Sequence, residues 1–492
     1  MTDADYIVVG AGTAGCVLAA RLSADPSARV LLLEAGTAAR TSAMTVPNAW
    51  PQTIGSAADW ANVTTAQAEA GPQILPRGKT LGGSSAINAL AHVRGHRAVY
   101  DGWPEGWRFA DLLPYFRRSE RVDGRDKELR GTAGPVPVIR VTDPHPVARA
   151  LVEALTAAGY QRTDDLSGRH QEGVAWADLA IADGRRVSAA DAYLRPALDR
   201  PNLTVLDGSL VTRLVIRGDR CTGVSYVRGG ATLVADAASA VVLCAGAIGS
   251  PQLLMLSGIG PAGPLRGLGI EPAADLPGVG ANLQDHPIIV VSYAARGTLP
   301  PSKYNHGEAY AALRSGLRGD YPDLHLFPIL LPVAPAGREP PASGYALVAA
   351  VMAPDSRGTV RLASAAPDEA PLIDPGFLTD RRDLDRLETG LRIVRRAGAS
   401  PAFGAIREAE VWPGPAVAAG ADLREYIRRG VGSYYHPVGT CAIGAVVDAG
   451  LRVHGVDGLR VADASVIPVI PNAHPNATVL AIAEKAAHLI TG

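Results

Sequence analysis

Gly10-Ala11-Gly12-Thr13-Ala14-Gly15 is a Gly-x-Gly-x-x-Gly sequence, and Glu34 closes the next apolar run. Glycines at this spacing permit a tight turn and let backbone N–H groups approach a pyrophosphate at a helix N-terminus. Gly10, Gly12, Thr13, Ala14 and Gly15 are therefore the expected phosphate contacts. An acidic side chain at the end of the following strand bonds both ribose hydroxyls and disfavours a 2′-phosphate, which is the role expected of Glu34. The pattern predicts dinucleotide binding and leaves FAD and NAD both open. A second stretch, Gly82-Gly83-Ser84, carries little side-chain bulk and could lie against the same cofactor, with Asn88 adding a short polar contact.

Such a loop works only if a strand delivers it to a helix. Residues 6–9 are an apolar β-branched run, Val17, Leu18 and Leu22 follow at helical spacing, and residues 30–33 form the next strand, ending at Glu34. This is a β-α-β unit with almost no slack. Residues 240–244 are uniformly apolar, as a buried parallel strand reads. Further strands are expected at 203–206 and 210–216, a helix at about 144–160, and a helical run after the loop of residues 76–95. From about 290 to 435 the chain is rich in Pro and Gly with short strand-like pieces at 345–351 and 359–362, which predicts a domain dominated by antiparallel sheet. Residues 381–386 are a mixed-charge run on a helix, expected to be a solvated face.

The chain has 492 residues, too many for one compact core, and 47% are apolar. Lys plus Arg number 47 against 48 Asp plus Glu, with no basic stripe, so neither nucleic acid nor an anionic membrane surface is an expected partner. The N-terminus runs directly into a strand without a basic, cleavable leader, and no apolar stretch is long enough to cross a membrane. Cys16, Cys221, Cys244 and Cys441 are scattered, which fits small buried thiols in a reducing cytoplasm. No metal-ligand spacing occurs. No Gly-x-Ser-x-Gly marks a strand-to-helix turn, so a serine hydrolase is not supported.

Four separate stretches resemble the glucose–methanol–choline oxidoreductases: Arg77-Gly-Lys-Thr-Leu-Gly-Gly-Ser-Ser-Ala-Ile-Asn88, then Gly246-Ala-Ile-Gly-Ser-Pro-Gln-Leu-Leu-Met-Leu-Ser-Gly-Ile-Gly260, then Pro277-Gly-Val-Gly-Ala-Asn-Leu-Gln-Asp-His-Pro287. The fourth runs from Tyr435-His-Pro-Val-Gly-Thr-Cys441 through Gly458-Leu-Arg-Val-Ala-Asp-Ala-Ser465 to Ile482-Ala-Glu-Lys485. They stand in the family's order along almost the whole chain; residues 290–430 match only loosely. The resemblance implies an α/β fold, α+β overall. A Rossmann-like FAD domain (1–143, 195–289 and 436–492) would interleave with a substrate domain (144–194 and 290–435). It implies FAD contacts at Arg77, Gly82, Gly83, Ser84, Asn88, Ala89, Leu90, Ala91, Val211, Ala245, Gly246, Tyr435, Asp463, Ala464, Pro475, Asn476 and Thr478. Some members bind flavin covalently through a His that is Ile87 here, so the FAD is expected to be non-covalent. His92 stands where relatives often have an aromatic residue.

Alcohol oxidation removes a hydride from carbon and a proton from oxygen. Flavin takes the hydride, and a histidine is the side chain best suited to take the proton. The resemblance places the catalytic histidine at His436 and a second at His474, on a loop whose Pro468, Pro471, Asn472 and Pro475 would aim it at the same point. His436 is expected to be the general base and His474 to bond the substrate oxygen, with exchange of these roles open. The N-terminus of the C-terminal helix, expected over residues 478–490, would stabilise an anionic reduced flavin. His286 reads as structural, and His325 is a candidate for the pocket wall. The expected function is oxidation of a primary or secondary alcohol, such as a sugar hydroxyl, with oxygen, a quinone or a redox protein as acceptor. Alternatives are a hydroxynitrile lyase on the same fold, a non-catalytic flavin-binding redox partner and, more remotely, a photochemical decarboxylase.

Overall fold

The glycine turn is built where one sheet ends. In the computed structural model, which describes residues 2–335, 338–417 and 420–492, strand Thr2–Val9 runs into Gly10 and helix Thr13–Leu22 follows. Strand Val30–Leu33 then returns parallel to the first, in register from Tyr6↔Val30 to Val9↔Leu33. All four of its residues are buried, as a parallel strand covered on both faces requires. The sheet order is Leu203–Leu206, Val30–Leu33, Thr2–Val9, Ala231–Leu243, Arg220–Arg228, Ser209–Arg217, with Leu459–Val461 also paired to Ala231–Leu243. Pairing is parallel through the first four strands and to Leu459–Val461, and antiparallel through the last two. The apolar run expected as a buried parallel strand is the carboxyl end of Ala231–Leu243, where Val241, Val242 and Leu243 are fully buried. Helices Thr13–Leu22 and Asn476–Thr491 lie side by side, tied by Thr13 Oγ1 to Asn476 Oδ1 (2.8 Å) and by a two-point Arg21–Glu484 pair (2.9 and 2.7 Å).

A second sheet is antiparallel throughout: Arg407–Trp412, Pro287–Ala295, Gly344–Val351, Leu324–Ile329, Ala309–Leu313, Gly173–Trp176, with Gly432–Ser433 also on Pro287–Ala295. Strand alternation divides its side chains between two apolar layers. Leu347, Ala349 and Val351 pack with helices Pro146–Ala157 and Arg381–Ala399, whereas Ala346 and Val348 pack with Phe327, Leu90 and Ala91. The second layer faces the glycine-rich loop of the first sheet. The expected α/β architecture with a mainly antiparallel second sheet is thus the one observed.

One local expectation needs correction. The charged run at 381–386 is not simply a solvated face. Asp383 is buried and accepts the N–H groups of Asp355 (2.9 Å) and Ser356 (2.8 Å), and Arg386 pairs with Asp355 and Asp383. Residues three apart lie on one helix face, and this face turns into the sheet. The loop after Arg77 leads into a helical run as expected, beginning with the short helix Arg97–Asp101. After a 3₁₀ turn at Gly83–Ala86, Leu90 adopts φ +60° and its N–H bonds Asn88 Oδ1 (3.0 Å), so the chain is diverted until the short helix Arg97–Asp101.

Candidate active site

The expected nucleotide contacts collect at the carboxyl ends of the parallel strands: Gly10 after Val9, Glu34 after Leu33, Ala245 and Gly246 beyond Leu243, Asp463 and Ala464 beyond Val461. Glu34 Oε2 accepts the Ala11 N–H (2.7 Å) and Oε1 that of Gly36 (2.8 Å), while burial pushes its carboxyl up to about 7. The Glu34 carbonyl in turn accepts the Ser209 N–H (2.7 Å), which brings Val211 to the same corner. A Cβ on Gly15 would stand 1.8 Å from the Gly10 carbonyl oxygen, so the turn closes only with glycine there. Gly12 is different. A Cβ there would meet nothing nearer than the Cys244 carbonyl at 3.7 Å, an ordinary contact, so glycine is not required at this position by the fold itself.

Two helices start beside this turn, joined by the Thr13–Asn476 hydrogen bond, without a side-chain cap or an acidic residue in the first turn. The first intrahelical bonds are Cys16 N–H to Gly12 and Val479 N–H to Pro475, which leaves the N–H groups of Thr13, Ala14, Gly15, Asn476 and Thr478 without an intrahelical partner. Paired open N-termini beside a bare glycine face suit an anion such as a diphosphate. The residues present therefore fit FAD.

The glycine-rich loop lies directly on this turn. A Cβ on Gly83 would come 2.6 Å from Gly12 Cα, and Gly82 N–H bonds the Ala11 carbonyl (2.7 Å). Ser84 Oγ accepts the Gly78 N–H (3.2 Å), and Arg77 donates to the Tyr435 carbonyl (2.6 Å). Asn88 Oδ1 accepts from buried Arg186 (2.7 Å), which also bonds the Ser85 carbonyl, and Asn305 donates to the Ala89 carbonyl (2.5 Å). Residues Ala89 to Ala91 are thereby held between the two sheets. Two expected contacts have committed side chains. Asp463 is consumed by Gly246 N–H, Ser250 and Ser465, and the Thr478 hydroxyl by Tyr100 (2.8 Å). What Ala464 and Thr478 can offer a cofactor is backbone. Ile87 sits in an apolar cluster with Met44 and Ala86.

His436 and His474 meet, with ring centroids 5.1 Å apart at 76°. The bracket that aims His436 is Asp285. Its Oδ1 accepts the backbone N–H groups of both His286 (2.8 Å) and His436 (2.8 Å), and Ser433 donates to its Oδ2. The two imidazoles then face each other, Nδ1 to Nδ1 at 2.9 Å. His474 Nε2 bonds the Tyr434 hydroxyl (3.1 Å), which also reaches His325 Nδ1 (3.4 Å), and His474 Nδ1 is buried without a partner. Burial is the main force on all four rings. It pushes His286 and His474 down to about 3 and holds His325 and His436 well below the ordinary 6.5, neighbouring imidazoles adding to the effect at His286, His325 and His436. Burial thus favours the neutral form of all four imidazoles.

That neutrality has a cost in acid. Each ring would take up a proton in the unfolded chain below pH 6.5 but not in the folded one, so the unfolded state binds more protons and stability falls as pH drops from 6.5 toward about 3. Each ring contributes a slope approaching ~1.4 kcal/mol per pH unit. Calorimetric Tm of the holoenzyme should decline through this window, and less steeply in His325→Phe, which removes one titrating ring. Equal slopes would contradict the neutral buried assignment.

His436, His474 and His325 come together here as their sequence positions lead one to expect, and His286, expected to be structural, stands against His436. The signal was the Asp285-His286-Pro287 run in the third motif, where a buried acid adjoins a buried histidine. Arg186 and Tyr434 were likewise not singled out for the site. His92 bonds buried Glu120 (3.1 Å) beside Arg94 and Arg130, which gives it a structural place. Among the described residues no cluster of ligating side chains could hold a metal.

A family model described as GMC oxidoreductase matches residues 4–288, and a second of the same description matches residues 354–483. The chain is 38% identical to the mitochondrial choline dehydrogenase of Homo sapiens, across 99% of this chain and 89% of the relative. It is also 38% identical to an oxygen-dependent choline dehydrogenase of Brucella anthropi, across 100% and 96%. Among solved structures it resembles pyridoxine 4-oxidase from Mesorbium loti with a TM-score of 0.95 and 37% identity, covering 99% and 98% of the two chains.

Proposed function

The chain belongs to the GMC oxidoreductases, and on that footing we propose that His436 is the general base of its reaction and His474 the group that steers the substrate oxygen. It is an FAD-dependent enzyme that oxidises the CH–OH group of an alcohol. The named relatives are two dehydrogenases and an oxidase, so the lyase and redox-partner alternatives are set aside.

The observation that carries the reading is the 2.9 Å Nδ1–Nδ1 contact. One nitrogen of such a pair donates and the other accepts. With the proton on His436 Nδ1 donated to His286, His436 Nε2 is left as an unprotonated acceptor for the alcohol proton. His474 shares its Nε2 with Tyr434 and keeps a partnerless Nδ1, so it has hydrogen-bonding capacity to spend on the same oxygen. FAD, when bound, supplies the hydride acceptor. The open N-terminus of Asn476–Thr491 offers partial positive charge to the electron-rich product state, and the surrounding aromatic rings exclude water.

His286→Leu should test this role. Removing the acceptor for His436 Nδ1 should slow flavin reduction roughly 10- to 100-fold, the usual worth of a partner that fixes a ring tautomer. His286→Asn, whose amide oxygen can replace that acceptor, should recover part of the rate. A full rate in the leucine variant would remove His286 from the account.

The same reading divides the chain into a nucleotide domain of residues 1–143, 195–289 and 436–492 and a substrate domain of residues 144–194 and 290–435. In support, the first sheet draws its strands from 2–9, 30–33, 203–243 and 459–461, and the second draws its strands from 173–176 and 287–433. We take the FAD to be non-covalent, since apolar Ile87 stands where a tethering histidine would be. Four free buried thiols support a reducing cytoplasm as the working compartment, and no described helix is long and apolar enough to cross a membrane.

A further inference from the structure

We infer that Arg186 is a positioning residue for FAD: from behind the glycine-rich loop it fixes the Asn88 amide with its NH₂ group toward the cofactor, and its own unpaired charge is answered by the negative charge of bound FAD. This rests on the reading of Asn88 as an FAD contact.

The loop lies between the dinucleotide turn and the segment that carries Arg186. A Cβ on Gly83 would come 2.6 Å from Gly12 Cα, and one on Gly82 would come 3.2 Å from Ser188 Oγ. The Ser85 hydroxyl donates to the Gly82 carbonyl (2.6 Å) and accepts the Ala189 N–H (2.9 Å), which ties loop and segment together. Asn88 Oδ1 receives two donors, Arg186 Nη1 at 2.7 Å and the Leu90 N–H at 3.0 Å. Only the oxygen of an amide can accept both, so its orientation is settled and Nδ2 faces the other way. No described residue accepts a hydrogen bond from that nitrogen. Asn88 is half-buried, whereas Arg186 is 2% exposed, so the accessible side of the amide is the side away from the guanidinium.

The second observation is charge. Arg186 Nη1 is used on Asn88 and on the Ser85 carbonyl (3.2 Å), but Nε and Nη2 are buried without a partner. The carboxylate whose charge it feels is Asp191, and that group is spent on the Ser188 N–H (3.0 Å) and hydroxyl (2.7 Å), Arg40 (3.3 Å) and Arg195 (3.1 Å). Burial pulls the guanidinium down to about 9, which still leaves it charged at neutral pH. A buried cation without a counter-ion weakens a fold, and an apolar residue of the same size would serve the fold better. FAD supplies the missing anion, as a diphosphate in every redox state and as an electron-rich ring when reduced. Across a loop that excludes water such charges attract strongly without touching.

Fluorescence of the FAD released on diluting the holoenzyme reads its dissociation constant. Arg186→Met, which fills the same space without charge or donors, should raise that constant at least ~10-fold, the worth of a charge-assisted hydrogen bond. Arg186→Lys, which keeps the charge and a donor, should recover most of the affinity. Asn88→Ala reads the same contact in a protein whose buried charge is untouched and should also weaken FAD. Combined with Arg186→Met it should cost far less than the product of the two single effects, because one residue acts through the other. Sulfite, which adds to oxidised flavin and leaves the ring anionic, locates the answering charge. Weaker sulfite binding by FAD-loaded Arg186→Met assigns it to the flavin, and unchanged sulfite binding with weaker FAD binding assigns it to the diphosphate. Wild-type FAD affinity in Arg186→Met overturns the inference, as do a lysine variant no tighter than the methionine one and single effects that simply multiply. If Asn88→Ala holds FAD as the wild type does while Arg186→Met loses it, the fault lies in the reading of Asn88 as a contact, and the positioning role falls with it.

Discussion

Replacing His436 by alanine should leave a folded, yellow protein in which reduction of the flavin by alcohol is roughly 10²–10⁴-fold slower, the usual worth of a positioned general base. The expectation comes from how the ring is held. Asp285 grips the backbone on both sides of the His286–His436 contact, so the histidine pair is set by main-chain hydrogen bonds that the substitution leaves in place. The proposed FAD contacts are Arg77, the glycine loops and the helix N-termini, none of which needs the imidazole. The substitution therefore separates chemistry from cofactor retention. Stopped-flow bleaching of the flavin gives the rate and the absorbance of the purified protein gives the FAD content. An unchanged rate would take His436 out of the mechanism, and a colourless protein would mean that the ring is needed to hold the cofactor.

Gly12→Leu should do the opposite and remove FAD from an intact fold. Gly12 has φ −72° and ψ −166°, a backbone conformation open to any residue, and a Cβ there meets no protein atom closer than 3.7 Å. The chain itself tolerates a side chain. Gly12 is the N-cap of Thr13–Leu22, where the diphosphate is proposed to sit, so a bulky side chain there should lower FAD affinity at least ~10³-fold, or about 4 kcal/mol. Gly15→Ala is the informative contrast, because its Cβ strikes the Gly10 carbonyl oxygen and should destabilise the turn itself. FAD per chain after gel filtration, beside the Tm of the apoprotein, distinguishes the two. A Gly12→Leu protein that keeps its full complement of FAD would refute the placement of the diphosphate.

The parts of the molecule that local sequence determines were legible in advance. A β-α-β unit with no slack, an acidic residue ending its second strand and a wholly apolar run at 240–244 each describe a few consecutive residues, and each folds as read. The C-terminal helix was placed correctly, starting two residues earlier at Asn476. What escaped notice depends on residues far apart in the chain. His286 and His436 are separated by 150 positions, and only the Asp285 bracket makes their rings meet. Arg186 reaches Asn88 across 98 residues, and its burial was invisible because one guanidinium looks like another in sequence. The run at 381–386 was misread for the same reason. Charge pattern suggests water, but Asp383 accepts the N–H groups of Asp355 and Ser356 on a neighbouring loop and Arg386 pairs with Asp355 and Asp383, so both are buried. Asp463 shows the converse, since a position expected at the cofactor spends its carboxylate on Ser250 and Ser465.

An FAD-dependent alcohol oxidation removes hydride from the carbinol carbon of the substrate. It is tested most directly by anaerobic single-turnover mixing of the purified enzyme with benzyl alcohol and with the same alcohol deuterated at the carbinol carbon. Two-electron bleaching of the visible flavin band, one aldehyde formed per flavin and a several-fold slower reaction with the deuterated substrate are expected. Aldehyde formation with the flavin left oxidised would contradict it, as would flavin reduction with no aldehyde produced.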